Sequence, residues 1–279
     1  MGVSVIVHTL NEEANIANCL ESVKWAEEIL VIDMHSTDRT REIAARYTDK
    51  ILLHPPMQYA DPARQFALEQ ATQEWVLVVD ADEMVPKNLR DTLLDVAAGG
   101  EFDAVAIPHR NRFFGHEMQG AEWGPLQNRH IRFYRRTAMS YGSAIHEFEK
   151  LLPGSRLYQI NEPNCSFVHF NYLDVEHFFD KANRYTTITA EAQGALDRAP
   201  STRHLLAECL RQFYWRFYKR EGYKDGAQGF CLSVFMVAYH LMILQKRLLI
   251  GQYGTKKPRQ AIAADYQRTA DAILREYGG

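Results

Sequence analysis

WVLVVDADE, residues 75–83, is the stretch from which the fold is read. Trp75, Val76, Leu77, Val78 and Val79 are apolar and mostly β-branched, a pattern that suits a strand covered on both faces. Asp80, Asp82 and Glu83 follow at its C-terminal end. Open α/β sheets bind ligands at that edge of their strands, and carboxylates placed there can share a hard divalent cation with substrate phosphates. A solvated acidic turn fits the same nine letters, so the surrounding sequence has to decide.

Upstream, VSVIV (3–7) reads as a buried strand, followed by the turn HTLNEE (8–13) and a helix over 15–23 carrying Ile16, Leu20 and Val23. EILVID (28–33) is a second strand that also ends on an acid. STDRT (36–40) can cap a helix over about 38–46. A third short strand spans 50–53, a loop 55–64, and a helix 66–71 leads into the opening stretch. This β-α alternation predicts a mostly parallel sheet with right-handed connections. His8–Glu12, Asp33–Asp38 and Asp80–Glu83 then share one edge. Neither GxGxxG nor GxxxxGK[ST] occurs, so the dinucleotide fingerprint and the P-loop are both excluded. An edge without glycine fingers but with an Asp-Ala-Asp points to a nucleoside diphosphate held through a metal.

Beyond Glu83 the spacing predicts a helix over 88–97 stopped by Gly99-Gly100, a strand at 104–108 and a loop over 111–132. A strand at 131–134, a polar loop YGSAIHEFE (141–149) and a strand SFVHF (166–170) follow. From Val175 onward the pattern is helical, over roughly 175–195, 201–221, 226–249 and 258–277. The boundary falls near Tyr172, giving units of 1–172 and 173–279.

With 279 residues, 46% hydrophobic, the chain can bury a full core. A net charge of -3 gives no global signal for nucleic acid, but the charge is uneven. Residues 203–259 hold eleven Lys or Arg against three acids, a local +8 on an otherwise acidic chain. Such a patch suits anionic lipid or phosphate, and equally a helical region with solvated basic faces. The four cysteines are scattered without metal or redox spacing, as expected of reduced residues in a cytoplasmic protein. No signal peptide is apparent. FCLSVFMVAYHLMIL (230–244) is too short an apolar run to span a bilayer comfortably.

VSVIVHTLNEEANIANCLESV, ILVIDMHSTDRT and EWVLVVDADE together resemble the nucleotide-binding half of family 2 glycosyltransferases of the GT-A fold. The likeness is to the bacterial branch that includes lipopolysaccharide core glycosyltransferases. It covers roughly 1–170 well and the helical remainder more loosely. The resemblance implies that Thr9, Asn11 and Glu12 line the base and ribose pocket, that Asp33 hydrogen-bonds the base and that Arg64 reaches the diphosphate; an ordinary surface arginine is the alternative for Arg64. Relatives often carry a second acid and a glycine after that Asp; Met34 and His35 stand there instead, which leaves the base open. Asp38 matches a further acid of the motif and equally a helix cap.

The resemblance also makes Asp80 and Asp82 the DxD pair, with Asp82 the direct ligand to Mg²⁺ or Mn²⁺ and Asp80 shared between ribose and metal; Glu83 could support the site or simply cap a turn. His169 matches a late histidine ligand to the metal; a satisfied core histidine is the alternative. A general base must take the acceptor proton. GSAIHE (142–147) is where it is expected, with Glu147 the candidate and His146 its chemical rival. Trp123, Gln127, Arg129 and Arg132 occupy the acceptor-side loop, with Arg129 or Arg132 able to meet phosphate or sugar.

The C-terminal segment QFYWRFYKREGYKDGAQG (212–229) interleaves aromatic and basic residues beside an apolar helix. It suits a membrane surface, a helical subdomain or a homo-oligomer interface. The expected activity is inverting, metal-dependent transfer of a sugar from a nucleoside diphosphate sugar to a saccharide or lipid-linked saccharide. A nucleotidyltransferase and a non-catalytic scaffold are the rivals.

Overall fold

The computed structural model describes residues 2–55, 61–141, 150–196 and 198–277. In chain order the elements are β1 Val3–Thr9, α1 Ile16–Val23, β2 Glu28–Asp33, α2 Thr40–Ala44, β3 Ile51–Leu53, α3 Asp61–Gln70, β4 Trp75–Asp80, β5 Glu83–Met84, α4 Lys87–Gly99 and β6 Ala104–Phe113. There follow β7 His116–Glu117, β8 Arg129–Arg135, β9 Met139–Ser140, β10 Lys150–Leu151, β11 Leu157–Gln159 and β12 Phe167–Tyr172. The helices α5 Val175–Gln193, α6 Thr202–Tyr214, α7 Gly226–Tyr253 and α8 Pro258–Tyr277 complete the chain. A π-turn at Trp215–Lys219 and a 3₁₀ turn at Gly222–Asp225 join α6 to α7.

The sheet runs β3-β2-β1-β4-β8-β6-β12-β5. Strands β1 to β4 are mutually parallel, β8 is antiparallel to both β4 and β6, and β12 returns parallel to β6. The parallel half is covered on both faces, as its continuous apolar strands require. Val5, Val7, Leu77 and Val79 pack against Cys19, Leu20, Leu89 and Leu93 on one side. Ile6, Val76 and Val78 pack with Ala67, Leu68 and Tyr134 on the other. The result is a mostly parallel sheet flanked by helices, with a helical C-terminal part.

Two differences from the sequence reading matter for the site. Strand β6 runs through Pro108 to Phe113, so Asn111 lies on a strand and not in a loop. Pro108 cannot donate to a ladder, and it sits where β6 changes partner: Pro108 opposes Arg129 of β8, and His109 opposes Phe167 of β12. The short β5 then pairs with β12, placing His169 opposite both Glu83 and Asn111. In addition, α7 extends over 28 residues, well past the apolar run, and has the length and composition to cross a membrane.

The helical part is fastened to the strands by polar as well as apolar contacts. Phe178, Ala182 and Leu232 cluster with Phe113 and Met118. The buried Asp225 carboxylate accepts the Gln119 and Gly120 amides at 2.7 and 2.9 Å, and His116 Nε2 lies 2.9 Å away. Gly229 permits the close approach of the 3₁₀ turn, since a Cβ there would stand 1.9 Å from the Gly222 carbonyl oxygen.

Candidate active site

Strand β4 delivers Asp80 to the sheet edge, and the tight turn into β5 places Asp82 and Glu83 beside it. The three carboxylates have separate surroundings. Glu83 is buried; its Oε2 accepts the Asp80 amide at 2.9 Å and its Oε1 lies 3.1 Å from His109 Nε2. Burial pushes the Glu83 carboxyl up, but Arg132 and His109 outweigh it and bring it to about 2. Asp80 Oδ2 accepts from Arg132 Nη2 at 2.9 Å. Burial opposes its ionisation too, yet the Arg132, Arg64 and His8 charges hold it well below the usual carboxylate range. Both groups are therefore anionic at neutral pH.

Asp82 faces a different set. Its Oδ2 lies 3.4 Å from His169 Nε2 and 3.5 Å from Lys181 Nζ of α5. The other ring nitrogen, His169 Nδ1, is 2.9 Å from Asn111 Oδ1, while Asn111 Nδ2 donates to the His109 and Trp123 carbonyls at 3.2 and 3.0 Å. Burial lowers the His169 pKa, but the hydrogen bond and charge of Asp82 outweigh it and raise the value. Asp82, His169 and Lys181 look onto a cavity of about 430 Å³ that Thr9, Glu12, Met34, Arg64 and Asp80 also line. Arg184 and Tyr185 of α5 close its other wall. Burial, then the Asp82 charge, raise the Glu12 carboxyl against the opposing Asn15 hydrogen bond and Lys181 charge.

The turns after β1 and β2 are stitched together. The Asn11 amide donates to Ser36 Oγ at 2.9 Å, and Asn11 Oδ1 accepts the Thr37 amide at 2.8 Å. Asn11 thus shapes the turn from its exposed position. Asp38 accepts the Thr40 and Glu13 amides at 3.0 and 3.1 Å, the cap-like role, at the start of α2. His35 adopts φ of 64°, the left-handed region that glycine enters freely, so the backbone turn persists without a glycine. Asp33 is buried; its Oδ1 accepts the Ser36 amide at 2.9 Å, and among the described residues Oδ2 has no hydrogen-bond partner. Thr9 Oγ1 is likewise buried and unpartnered among them.

A smaller cavity of about 230 Å³ adjoins the first at His169, Asn171 and Tyr172, with Trp123, Asn128 and His130 on its far side. Arg132 lines this smaller cavity while its Nη2 donates to Asp80, and Arg129 reaches Gln159 and Asn161 at 3.2 and 3.1 Å. Gln127 holds the loop itself, accepting the Glu122 amide at 3.1 Å. Glu147 and His146 lie outside the described residues.

The glycosyl transferase family 2 profile matches residues 4–151, more than half of the chain and all three strand-end segments. The chain is a family 2 glycosyltransferase. Over 250 residues, 87% of this chain and 90% of the relative, the transferase is 28% identical to the lipopolysaccharide core biosynthesis glycosyltransferase LpsC of Rhizobium meliloti (strain 1021). An uncharacterized glycosyltransferase of Rickettsia conorii is 26% identical over 95% of each chain. Among solved structures, glucosyl-3-phosphoglycerate synthase of Mycobacterium tuberculosis with Mn²⁺, UDP and glucosyl-3-phosphoglycerate is similar over 40% of this chain and 44% of its own. That match has 23% identity and a TM-score of 0.34. Membership in the family sets aside the nucleotidyltransferase and scaffold readings.

Chemically, the transferase sets the Asp82 carboxylate and the His169 Nε2 side by side on a cavity that Glu12 and Asp80 also line, with Arg64, Lys181 and Arg184 as cations at its margin. Asn111, Lys181, Arg184 and Tyr185 escaped the sequence reading. Nothing in their local spacing marks them, because β6 and α5 reach the edge through long-range packing.

Proposed function

We propose that this transferase moves a sugar from a nucleoside diphosphate sugar, UDP-linked, onto a hydroxyl of a lipid-linked saccharide during cell-envelope polysaccharide synthesis. The observation that carries the donor half is the convergence of Asp82, His169 and Lys181 on the 430 Å³ cavity. Asp82 Oδ2 and His169 Nε2 form an oxygen-nitrogen pair that fits Mg²⁺ or Mn²⁺ when phosphate oxygens and water complete the shell. Such a cation offsets charge on the leaving nucleoside diphosphate. Asp80, paired with Arg132, supports the ribose and the turn and contributes to the metal's field. Arg64 and Lys181 add positive charge for the phosphates.

The base end of the donor is assigned to Thr9, Asn11, Glu12 and Asp33. The buried Asp33 Oδ2 needs a donor, and an imide N–H of a pyrimidine supplies one. Glu147 takes the acceptor proton, with His146 the rival, in a single displacement that inverts the anomeric centre. The second cavity, beside Trp123, accommodates the acceptor. Residues 1–172 form the catalytic unit and 173–279 the helical unit. The cytoplasm, at the inner face of the membrane, is the compartment where such a donor and acceptor meet. The lipopolysaccharide assignment is supported by the LpsC relationship.

The test is a product assay. Incubation with UDP-sugars and a lipid-linked saccharide acceptor should release UDP and form a glycoside of inverted configuration. Release of pyrophosphate, or no turnover across a full panel of sugar nucleotides and acceptors, would overturn the reading.

A further inference from the structure

We propose that the face formed by α6 and the turns leading into α7 docks on an anionic lipid bilayer. This inference rests on the lipid-linked acceptor proposed above and names the surface that brings the enzyme to it.

The face begins with a stripe at helical spacing. Leu206 and Leu210 are 61% and 71% exposed, and Tyr214 and Tyr218 continue the line at 52% and 55%. Leucines that far out of a helix leave large apolar surface in water. Trp215, Tyr223 and Phe230 are also exposed beside it, and the Phe213 and Phe217 rings contact Phe230, which joins the stripe to α7. Aliphatic tips backed by Tyr and Trp are the arrangement that settles at a headgroup boundary, where the rings have one apolar and one wet side.

Charge selects the occupant. Arg203 falls on the same helical face as Leu206 and Leu210, three residues before the first and seven before the second, and Lys219 and Lys224 are exposed on the turns. Residues 203–225, which span this face, hold six Lys or Arg against three acids, a local +3 on a chain of net -3. A second copy of the chain would bring the same positive segment against itself. A bilayer of anionic headgroups offers the opposite charge across its whole surface.

The face is rigidly joined to the acceptor side of the site. Trp215 Nε1 donates to Glu122 Oε1 at 3.1 Å, the buried Arg216 pairs with Glu122 Oε2 at 3.2 Å, and the Ala121 amide donates to the Arg220 carbonyl at 2.6 Å. A Cβ on Gly120 would stand 2.2 Å from the Glu221 carbonyl oxygen, so the two segments are in close contact. The same loop continues into Trp123, which lines the smaller cavity. Docking through α6 therefore fixes that cavity relative to the lipid surface.

The experiment is co-sedimentation of the full chain with phosphatidylcholine vesicles, with and without about one-third phosphatidylglycerol, at low and high salt. Binding to the anionic vesicles, its loss at high salt, and a decrease of about tenfold or more in Leu206→Glu/Leu210→Glu are expected. Both side chains are exposed, and circular dichroism melting checks that the variant folds. Three results would overturn the proposal: equal binding to both vesicle types, salt-resistant binding that marks a spanning helix, or a lipid-free dimer that the double variant converts to monomer. UDP release from donor alone is measured on both proteins. Its retention in the variant separates loss of docking from failure of the transferase reading.

Discussion

Asn111 Oδ1 stands 2.9 Å from His169 Nδ1, and that contact sets which ring nitrogen faces Asp82. The Asn111 amide is itself oriented by two backbone carbonyls. His169 Nδ1 therefore donates, and in the neutral ring the Nε2 lone pair and the Asp82 carboxylate turn toward the same space. Two electron-rich groups so placed either share a proton or share a cation. Replacing Asn111 with Leu should weaken Mn²⁺ binding in the presence of UDP by about 10–100-fold, read from free Mn²⁺ by electron paramagnetic resonance. Affinity unchanged within about twofold would remove Asn111 from this role.

Asp33 gives the second prediction. Its Oδ1 is satisfied by the Ser36 amide, whereas Oδ2 awaits a donor. Asp33→Asn turns that acceptor into a competing donor, and the conflict should lower affinity for UDP by about 10–100-fold, in line with roughly 1–3 kcal/mol for an unmatched buried group. Titration calorimetry with UDP and with UMP should show similar losses, because the defect sits at the base and not at the diphosphate.

How much of this was readable beforehand differs from element to element. The Asp80–Glu83 edge is legible because Trp75–Val79 is a continuous apolar run, as a strand covered by helices on both faces requires, and it ends abruptly in acids. His169 was placed by resemblance. Asn111 was missed because Pro108 reads as the end of a strand. In the structure Pro108 marks a change of partner within one strand, a tertiary event that leaves no periodicity behind. The Arg132–Asp80 pair left no sequence signal, because Asp80 is far away in sequence and becomes a neighbour through the antiparallel β8.

Acid stability can be predicted at a position remote from the cavity. Glu28, at the start of β2, accepts from Thr72, Ser4 and Lys50. Burial raises its carboxyl, but these hydrogen bonds outweigh it and lower the pKa to about 2 from an ordinary value of 4.5. A depressed folded-state pKa means the stabilisation is present above the ordinary value and lost as pH falls toward the folded one. Wild-type stability should therefore decline between pH 4.5 and about 2. Glu28→Gln should be less stable at neutral pH, by on the order of 2 kcal/mol, with a shallower decline over that window. Urea unfolding at a series of pH values checks both.

The general base is separable from binding. Glu147→Gln should lower kcat by about 10²–10⁴-fold with UDP affinity unchanged, and His146→Ala should do so only if the imidazole takes the proton. Single-turnover rates for the two variants, side by side, assign the role.

The most direct measurement is UDP affinity with and without Mn²⁺, in wild type and in Asp82→Ala, by thermal shift and calorimetry. Ligand binding to the folded state raises stability with the logarithm of concentration over affinity. Mn²⁺ should tighten UDP binding by about tenfold or more in wild type and have little effect in Asp82→Ala. An equal enhancement in both proteins would contradict a cation held between Asp82, His169 and the diphosphate.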